Sequence, residues 1–384
     1  MDKDELRAWL RLSLTDGVGN EAARQLLACF GSPQAVFEQS EAALAQVVTP
    51  KQAQALVSVP NELAVQCVRT HQWLAHQPEH HSHAVWTLGD PHYPAELLQL
   101  ADPPLMLYAT GQTERTLGNA VAVVGSRNPT PQGAEIATQF GEALCAAGLC
   151  VVSGLALGVD GAAHTGALRG ASSARSSTAH WPTVAVVGTG LDRVYPSKHK
   201  MLAQYIAEQG LLLSEYPLGT PPLAHNFPKR NRLIAALGLG TLVVEAALKS
   251  GSLITAKMAL ELNREVLAIP GSIYATQSHG CHALIRQGAK LVENAQDVLE
   301  ELQLAPQQQV NLFADALATD DPMPSDDNEH PLLKHMGFAP VNLDALQARC
   351  GLDTAALQAQ LLTLELDGVV GRLPGGLFQR LAAA

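Results

Sequence analysis

The chain has 384 residues, enough for two or three domains, of which 47% are hydrophobic and 16% are charged. This composition is that of a globular protein and excludes a disordered, collagen-like or coiled-coil chain. The net charge of −11 at pH 7, taken for the whole chain, argues against a nucleic-acid partner.

The compartment follows from the apolar runs and the cysteines. No apolar run approaches the ~18 residues that a membrane helix requires, and the charged start Met1–Glu5 does not resemble a secretion signal. Six cysteines occur without a CxxC pair, which argues against a zinc ribbon and a disulfide scaffold. We therefore expect a cytoplasmic protein without a membrane segment.

Residues 1–70 are predicted to form a small helical domain. Gly17 and Gly19 separate two stretches with helical spacing, as in a helix-hairpin-helix unit whose free backbone N–H groups can hold a phosphate. An ordinary tight turn is the alternative, because this segment carries net negative charge.

Residues 71–302 are predicted to form the core domain, and the part up to residue 118 is interpreted as a transition segment. This part contains five histidines, His71, His76, His80, His81 and His83. They are interpreted as belonging to a solvated linker rather than to a metal site.

From Asn119 onwards, short strands are predicted to alternate with helices. Seven β-branched runs begin at Ala120, Leu149, Thr183, Leu211, Thr241, Val266 and Lys290. This alternation predicts an α/β fold with a doubly wound parallel sheet, which binds ligands at the carboxyl ends of its strands. The Ser/Ala-rich piece 170–182 is interpreted as a surface insertion.

Small and polar residues follow the first strands of this sheet. Gly125, Ser126 and Arg127 end the first strand, and Ser153 and Gly154 end the second. Glycine lets a ligand approach the backbone, the hydroxyl and free N–H groups can hold phosphate oxygens, and arginine adds a bidentate cation. Neither the dinucleotide fingerprint nor a Walker A loop is present, so the sequence predicts another kind of anion site.

A cationic helix start gives the strongest local signal. Lys229, Arg230 and Arg232 lie within four residues, together with Asn231 and with Phe227, on whose ring a base could stack. Because the helix dipole disfavours cations there, a bound anion would explain their position. The whole stretch 193–232 holds six cations and only two carboxylates, Glu208 and Glu215.

A third phosphate-binding turn is predicted at Ser250, Gly251, Ser252 and Thr255, where glycine and hydroxyl groups again open a helix. The alternative is an ordinary serine N-cap.

The C-terminal part is divided into a linker and a small domain. Residues 303–330 are acidic and rich in Gln and Pro, which is typical of a flexible linker. Residues 331–384 show two helices followed by a hairpin, the order of a winged helix. The second helix, Thr354–Leu366, has no Lys or Arg, so this domain is expected to contact protein rather than a DNA groove.

No catalytic set or metal site is predicted. His164 and Asp160 could pair, but no nucleophile has a positioned base. His279, Cys281 and His282 lie too close together for tetrahedral coordination and lack a fourth ligand, so they are interpreted as part of a structural loop.

Taken together, these segments resemble the DNA-processing protein A (DprA/Smf) family, most densely over residues 90–302. Each motif alone is weak, but the set is specific. Its members are Gly125-Ser126-Arg127, Ser153-Gly154 with Asp160 and His164, Tyr195-Pro196, Ser214-Glu215-Tyr216-Pro217, Phe227-Pro228 with Arg230-Asn231-Arg232, and Ser250-Gly251-Ser252 with Thr255. The sequence departs from many relatives at Gly280-Cys281-His282, where they carry Asn or Pro.

The resemblance implies an extended Rossmann-like core with a helical SAM-like domain before it and a winged helix after it. It implies a protein of natural transformation that binds and protects incoming single-stranded DNA, loads RecA recombinase onto it and forms a homodimer through the core. By motif, Arg127 and the stretch Phe227–Arg232 would line the DNA pocket, and the turns at Ser126 and Ser250–Thr255 would hold phosphates. We expect neither enzymatic activity nor a cofactor.

Two other functions remain open. Nucleotide phosphoribohydrolases of the lysine-decarboxylase-like group share this type of core, and Gly238-Leu239-Gly240-Thr241 followed by Glu245 is similar to an incomplete form of their glycine-rich motif. The other function is that of a regulator that reads duplex DNA through the C-terminal domain. The neutral charge of this domain disfavours that function.

Overall fold

The computed structural model describes residues 1–173, 179–304, 330–337, 340–373 and 375–381. Helices make up the N-terminal part: α1 (Lys3–Leu14), α2 (Asn20–Phe30), α3 (Pro33–Phe37), α4 (Glu41–Leu44), α5 (Pro50–Val57) and α6 (Leu63–Ala75). Helix α6 extends past the predicted boundary at residue 70. Leu10, Leu26 and Leu56 pack together in the core of this part, and Gly17 adopts a positive φ of 74° in the α1–α2 turn.

One nine-stranded sheet forms the centre of the molecule, in the order β1-β2-β6-β5-β4-β3-β7-β8-β9. Its strands are β1 (Ser82–Thr87), β2 (Met106–Gly111), β3 (Ala120–Val124), β4 (Cys150–Ser153), β5 (Thr183–Val186), β6 (Leu211–Ser214), β7 (Gly240–Val243), β8 (Glu265–Ala268) and β9 (Lys290–Leu291). Strands β3 to β9 are parallel, which confirms the predicted doubly wound sheet.

Strands β1 and β2 correct the interpretation of residues 70–118 as a transition segment. They form an antiparallel extension of the sheet, with β2 paired to β6. Leu107 of β2 packs into the core of the sheet, whereas Tyr108 faces the core of the helical part. His83 lies in β1 and stacks on Trp73 of α6, with ring centroids 4.2 Å apart, so this histidine is packed rather than solvated.

Helices cover both faces of the sheet because alternate strand residues point to opposite sides. In β3, Ala122 packs towards one set of helices and Val123 towards the other. The helices of the core are α7 (Pro131–Ala146), α8 (Val159–Ser173), α9 (Lys200–Gln209), α10 (Asn226–Leu237), α11 (Ser252–Glu261), α12 (His279–Arg286) and α13 (Ala295–Glu301). After β6 the chain returns to the other side of β3, so the strand order reverses between β3 and β7. Such a reversal opens a crevice at the carboxyl ends of the two strands.

The predicted winged helix is confirmed at the C-terminal end. It consists of α14 (Pro331–Met336), β10 (Val341–Asn342), α15 (Leu343–Cys350), α16 (Thr354–Leu366), β11 (Val370–Leu373) and β12 (Leu377–Arg380), with strand order β10-β12-β11. Gly351 ends α15 in the left-handed conformation, at a φ of 70°.

One sequence prediction falls partly, and another largely, outside the described residues. Of the predicted insertion at 170–182, residues 174–178 are not described, and of the predicted linker at 303–330, residues 305–329 are not described. Within the described ranges, no helix has the length and hydropathy needed to cross a membrane.

Candidate functional site

A cavity of about 530 Å³ lies at the crevice between β3 and β7, and we call it the β3–β7 cavity. Three segments form most of its walls: the loop 125–128 after β3, the start of α10 and the turn that opens α11. Ala156 and Asp160 after β4 and Gln277 before α12 also line it. The sequence-predicted residues that line it are Gly125, Ser126, Arg127, Phe227, Arg230, Asn231, Ser250, Gly251, Ser252 and Thr255. Ser153, Gly154, Lys229 and Arg232 are not among the lining residues.

The loop after β3 presents an exposed cation to this cavity. Ser126 is buried, and its hydroxyl oxygen accepts a hydrogen bond from the backbone N–H of Asn128 at 3.1 Å. Arg127 is exposed, and its guanidinium carbon lies 5.7 Å from the centroid of the Phe227 ring. The cation and the aromatic face therefore lie side by side at the cavity wall.

Phe227 itself is held by a second ring. It is partly exposed, and the ring of Tyr195 lies 5.5 Å away, centroid to centroid. This contact fixes one side of the Phe227 ring while part of its surface remains open to the cavity.

Arg230 lies at the back of the cavity and is almost fully buried, with 3% of its surface exposed. Its Nη1 donates hydrogen bonds to the carbonyl oxygens of Gly154, at 2.7 Å, and of Val186. Burial lowers the pKa of Arg230 to about 10, and the nearby Asp160 partly opposes this shift. Arg230 thus joins α10 to the carboxyl ends of β4 and β5.

Asp160 completes this buried arrangement. Its carboxylate accepts hydrogen bonds from the backbone N–H groups of Gly154, at 3.1 Å, and Ala156, at 3.3 Å. Burial raises the pKa of Asp160, and Arg230 opposes that shift. The cavity therefore has one buried carboxylate against three lining cations, Arg127, Arg230 and Lys249, and its charge favours an anion.

The other two cations at the start of α10 point elsewhere. The Lys229 side chain is exposed, with Nζ 5.9 Å from the centroid of the Tyr216 ring. Arg232 forms an ion pair with Glu215, and both side chains are largely buried. Burial raises the pKa of Glu215, which Arg232 opposes.

Ser153 and Gly154 shape the cavity from behind. The Ser153 hydroxyl is fully buried and donates to the carbonyl oxygen of Val123 at 2.6 Å. A side chain at Gly154 would collide with the guanidinium of Arg230, so only glycine permits this close approach.

The turn before α11 contributes hydroxyl groups and one cation that the sequence analysis missed. Ser250 Oγ lies 2.6 Å from Ser252 Oγ, and Thr255 is buried one turn further on. Lys249 is exposed and lines the cavity directly before Ser250. Its position next to the Ser-Gly-Ser turn is the signal that could have identified it.

Asn128 and Gln277 are two further lining residues that were not predicted. The Gln277 side-chain amide donates to the carbonyl oxygen of Asn128 at 3.0 Å. This bond fixes the loop after β3 to the segment before α12. The sequence places the two residues 149 positions apart and gives no signal that they meet.

Glu245 follows β7 but caps a helix instead of lining the cavity. Its carboxylate accepts hydrogen bonds from the backbone N–H of Thr130 at 2.9 Å and from the Thr130 hydroxyl at 2.6 Å. The same hydroxyl accepts from the N–H of Gly133 and so caps α7. Burial raises the pKa of Glu245, and the Thr130 hydrogen bonds oppose the shift.

The histidines singled out in the core have separate partners. His164 is fully buried and its Nδ1 lies 2.7 Å from the Thr183 hydroxyl, so it does not pair with Asp160. Burial lowers the pKa of His164 to about 3. Nε2 of His279 contacts the carbonyl oxygen of Ile273 at 3.1 Å, and Nε2 of His282 contacts that of Gly271 at 3.0 Å. Among the described residues, no three His, Cys, Asp or Glu side chains are grouped so as to hold a metal.

Two family models match the chain. The model described as DNA recombination-mediator protein A matches residues 84–303, and the model of the DprA winged helix domain matches residues 316–376. Among curated proteins, Protein Smf of Escherichia coli strain K12 is 39% identical over 334 residues, which is 86% of this chain and 84% of that protein. DNA processing protein DprA of Streptococcus pneumoniae is 46% identical over 218 residues, or 57% of this chain and 74% of that protein.

Solved structures agree with these matches. The X-ray structure of DprA from Streptococcus pneumoniae aligns with a TM-score of 0.63 and 35% identity, covering 78% of this chain and 98% of that one. DNA processing protein A from Helicobacter pylori, solved to explain its single-stranded DNA binding mode, aligns with a TM-score of 0.50 and 30% identity, covering 58% of this chain and 95% of that one.

Proposed function

The chain belongs to the DNA recombination-mediator protein A family, and we propose that it binds single-stranded DNA in the β3–β7 cavity. The observation that carries this proposal is the position of Arg127, whose guanidinium lies beside the partly open ring of Phe227. A cation for phosphate next to an aromatic face for a base is the combination that single-strand-binding grooves use. The solved relative from Helicobacter pylori is described as binding single-stranded DNA, which supports the same ligand here.

Phosphate binding is assigned to two exposed cations and the hydroxyl turn. Arg127 and Lys249 line the cavity with exposed side chains, Ser250 follows Lys249, and Ser252 is the first residue of α11. Contacts to the backbone and stacking carry no base code, so binding is tolerant of sequence and weakens as salt rises. Arg230 and Asn231 complete the wall, and Ser153 and Gly154 lie behind it. Lys229 and Arg232, which the sequence also predicted, do not line the cavity.

The biological role proposed is that of the family: protection of incoming single-stranded DNA during natural transformation and loading of RecA recombinase onto it. The curated relatives from Streptococcus pneumoniae and Bacillus subtilis are named DNA processing proteins, which supports a role in DNA processing. RecA loading and a cytoplasmic homodimer formed through the core follow from the family resemblance and remain proposals. RecA loading can be tested with single-stranded DNA that is covered by a single-strand-binding protein. If the immobilised chain captures RecA on this DNA, the proposal is supported.

We propose binding without catalysis. In the phosphoribohydrolase alternative, Glu245 would act on a nucleotide, yet its carboxylate is occupied by the N–H and hydroxyl of Thr130 and does not line the cavity. Incubation with AMP and related nucleotides tests this point. Release of free base would favour the enzyme, and intact nucleotide would favour the binding protein.

Fluorescence anisotropy tests the proposed function. The affinity for oligothymidylate is measured over a range of salt concentrations and compared with the affinity for a duplex of equal length. The proposal expects tighter binding of the single strand, because stacking on Phe227 requires an unpaired base. Equal affinity for duplex and single strand, or no binding to either, would contradict it.

A further inference from the structure

The core and the winged helix enclose a second cavity of about 680 Å³, which we call the interdomain groove. Its core wall is formed by residues 128–130 and 274–277, and its other wall by β10, by Ala345 and Arg349 of α15 and by the β11–β12 hairpin. Contacts between α7 and the β11–β12 hairpin hold the winged helix here. Gln379 Nε2 donates to Gln132 Oε1 at 2.5 Å, and Gly371 lies so close to the Pro131 ring that an added side chain would collide with it.

The interdomain groove adjoins the β3–β7 cavity. Asn128 and Gln277 line both, and the hydrogen bond between them lies where the two meet. A strand that is too long for the first cavity and leaves it past Asn128 would therefore reach the groove.

The groove repeats the chemistry of the first cavity. The Tyr274 side chain is 88% exposed, although aromatic rings usually pack against other groups. Arg349 is exposed on α15, and its guanidinium donates a long hydrogen bond of 3.4 Å to the carbonyl oxygen of His335. Among the described residues that line the groove, none is Asp or Glu. An open ring and a cation thus face a wall without negative charge.

We propose that the interdomain groove binds the nucleotides of the single strand that continue beyond the β3–β7 cavity. Arg349 contacts a phosphate and Tyr274 stacks on a base. This inference rests on the proposed function and adds a role for the winged helix, because one of its helices contributes directly to the DNA path.

The winged helix does not face the groove with the helix that usually binds duplex DNA. Duplex recognition uses the second helix of the helix-turn-helix, here α16, which has neither Lys nor Arg. Arg349 belongs to α15, and α15 lines the groove. The winged helix can therefore bind a single strand through α15 while α16 remains free.

Full-length variants and oligothymidylates of two lengths test this proposal. The short one, about 4 nucleotides, matches the lower end of the site sizes of single-strand-binding folds, and the long one, about 20 nucleotides, exceeds the upper end. Arg349→Ala and Tyr274→Ala remove the cation and the ring, and Tyr274→Phe restores the ring. Arg372→Ala is the matched control, because Arg372 is an exposed cation on the same domain that contacts Phe378 and does not line the groove. Thermal melts verify that each variant folds.

The proposal expects Arg349→Ala to weaken binding of the long oligonucleotide and to reduce the slope of log affinity against log salt by about 0.7. Tyr274→Ala should weaken the same binding about 5- to 100-fold without changing that slope, and Tyr274→Phe should restore it. The short oligonucleotide and Arg372→Ala should show no change.

Unchanged affinity of both alanine variants for the long oligonucleotide would overturn the groove proposal while leaving the proposed function intact. Loss of RecA capture with unchanged DNA affinity would assign the groove to a protein and would also overturn it. Failure of the unaltered chain to bind either oligonucleotide would overturn the proposed function and the groove together.

Discussion

The guanidinium of Arg230 donates a hydrogen bond to the carbonyl oxygen of Gly154 at 2.7 Å, and this bond joins the cationic start of α10 to the carboxyl end of β4. Arg230 is therefore a structural cation as well as a lining residue. Arg127 and Lys249, by contrast, are exposed and free to contact a ligand. This division predicts different consequences for substitutions at these three positions.

Arg230→Ala should destabilise the fold. It leaves the buried carbonyl oxygens of Gly154 and Val186 without a charged donor, and hydrogen bonds to charged groups are worth about 1.5–3 kcal/mol each. We expect the free energy of unfolding, measured in urea, to fall by about 3 kcal/mol or more. A loss below about 1 kcal/mol, a typical neutral hydrogen bond, would contradict the structural role.

Arg127→Ala and Lys249→Ala should weaken single-strand binding with little effect on stability. Each removes one exposed cation from the cavity, so each should reduce the slope of log affinity against log salt by about 0.7. Lys257→Ala is the matched control, because Lys257 is an exposed cation on α11 that forms a surface ion pair with Glu261 and does not line the cavity. Equal salt slopes for all three variants and the unaltered chain would refute the assignment.

Phe227→Ala should lower the affinity by about 1–3 kcal/mol, the value of stacking one base on an aromatic ring. The salt slope should remain unchanged, because no charge is removed. Phe227→Tyr keeps the ring and should retain most of the affinity. If Phe227→Ala binds as tightly as the unaltered chain, the ring does not contact a base.

His164 should make the fold sensitive to acid. Its folded pKa is lowered to about 3 from 6.5 by burial, so below pH 6.5 the unfolded chain binds a proton that the folded chain does not. Its contribution to stability is therefore present above pH 6.5 and is lost as the pH falls towards 3, by about 1.4 kcal/mol per pH unit. Urea unfolding at several pH values measures the free energy of unfolding, which should depend less steeply on pH in His164→Gln than in the unaltered chain. An equal pH dependence in the two proteins would show that His164 does not remain neutral in the fold.

Much of the core could be predicted from the sequence because most of the parallel strands are short apolar runs, often rich in valine, between helices. Strands β1 and β2 were missed because their burial depends on a contact far along the chain. Tyr108 of β2 packs against the N-terminal helices, and neither surface is complete without the other. Histidines and prolines around these strands also obscured the pattern.

The site was predicted at the level of segments but not of individual side chains. Arg230 and Arg232 are two positions apart, which is about 200° around a helix, so they point in nearly opposite directions. One turns inward to the strand ends and the other pairs with Glu215. Only the start of the helix at Asn226 fixes which cation faces the cavity.

The central claim is that unpaired DNA occupies the β3–β7 cavity, and a crystal structure of the chain with bound oligothymidylate tests it most directly. The account predicts phosphate oxygens within hydrogen-bond distance of the Arg127 guanidinium and of the Ser250–Ser252 turn, with a base against Phe227. An oligonucleotide bound to the N-terminal helices or to α16, with the cavity empty, would contradict it.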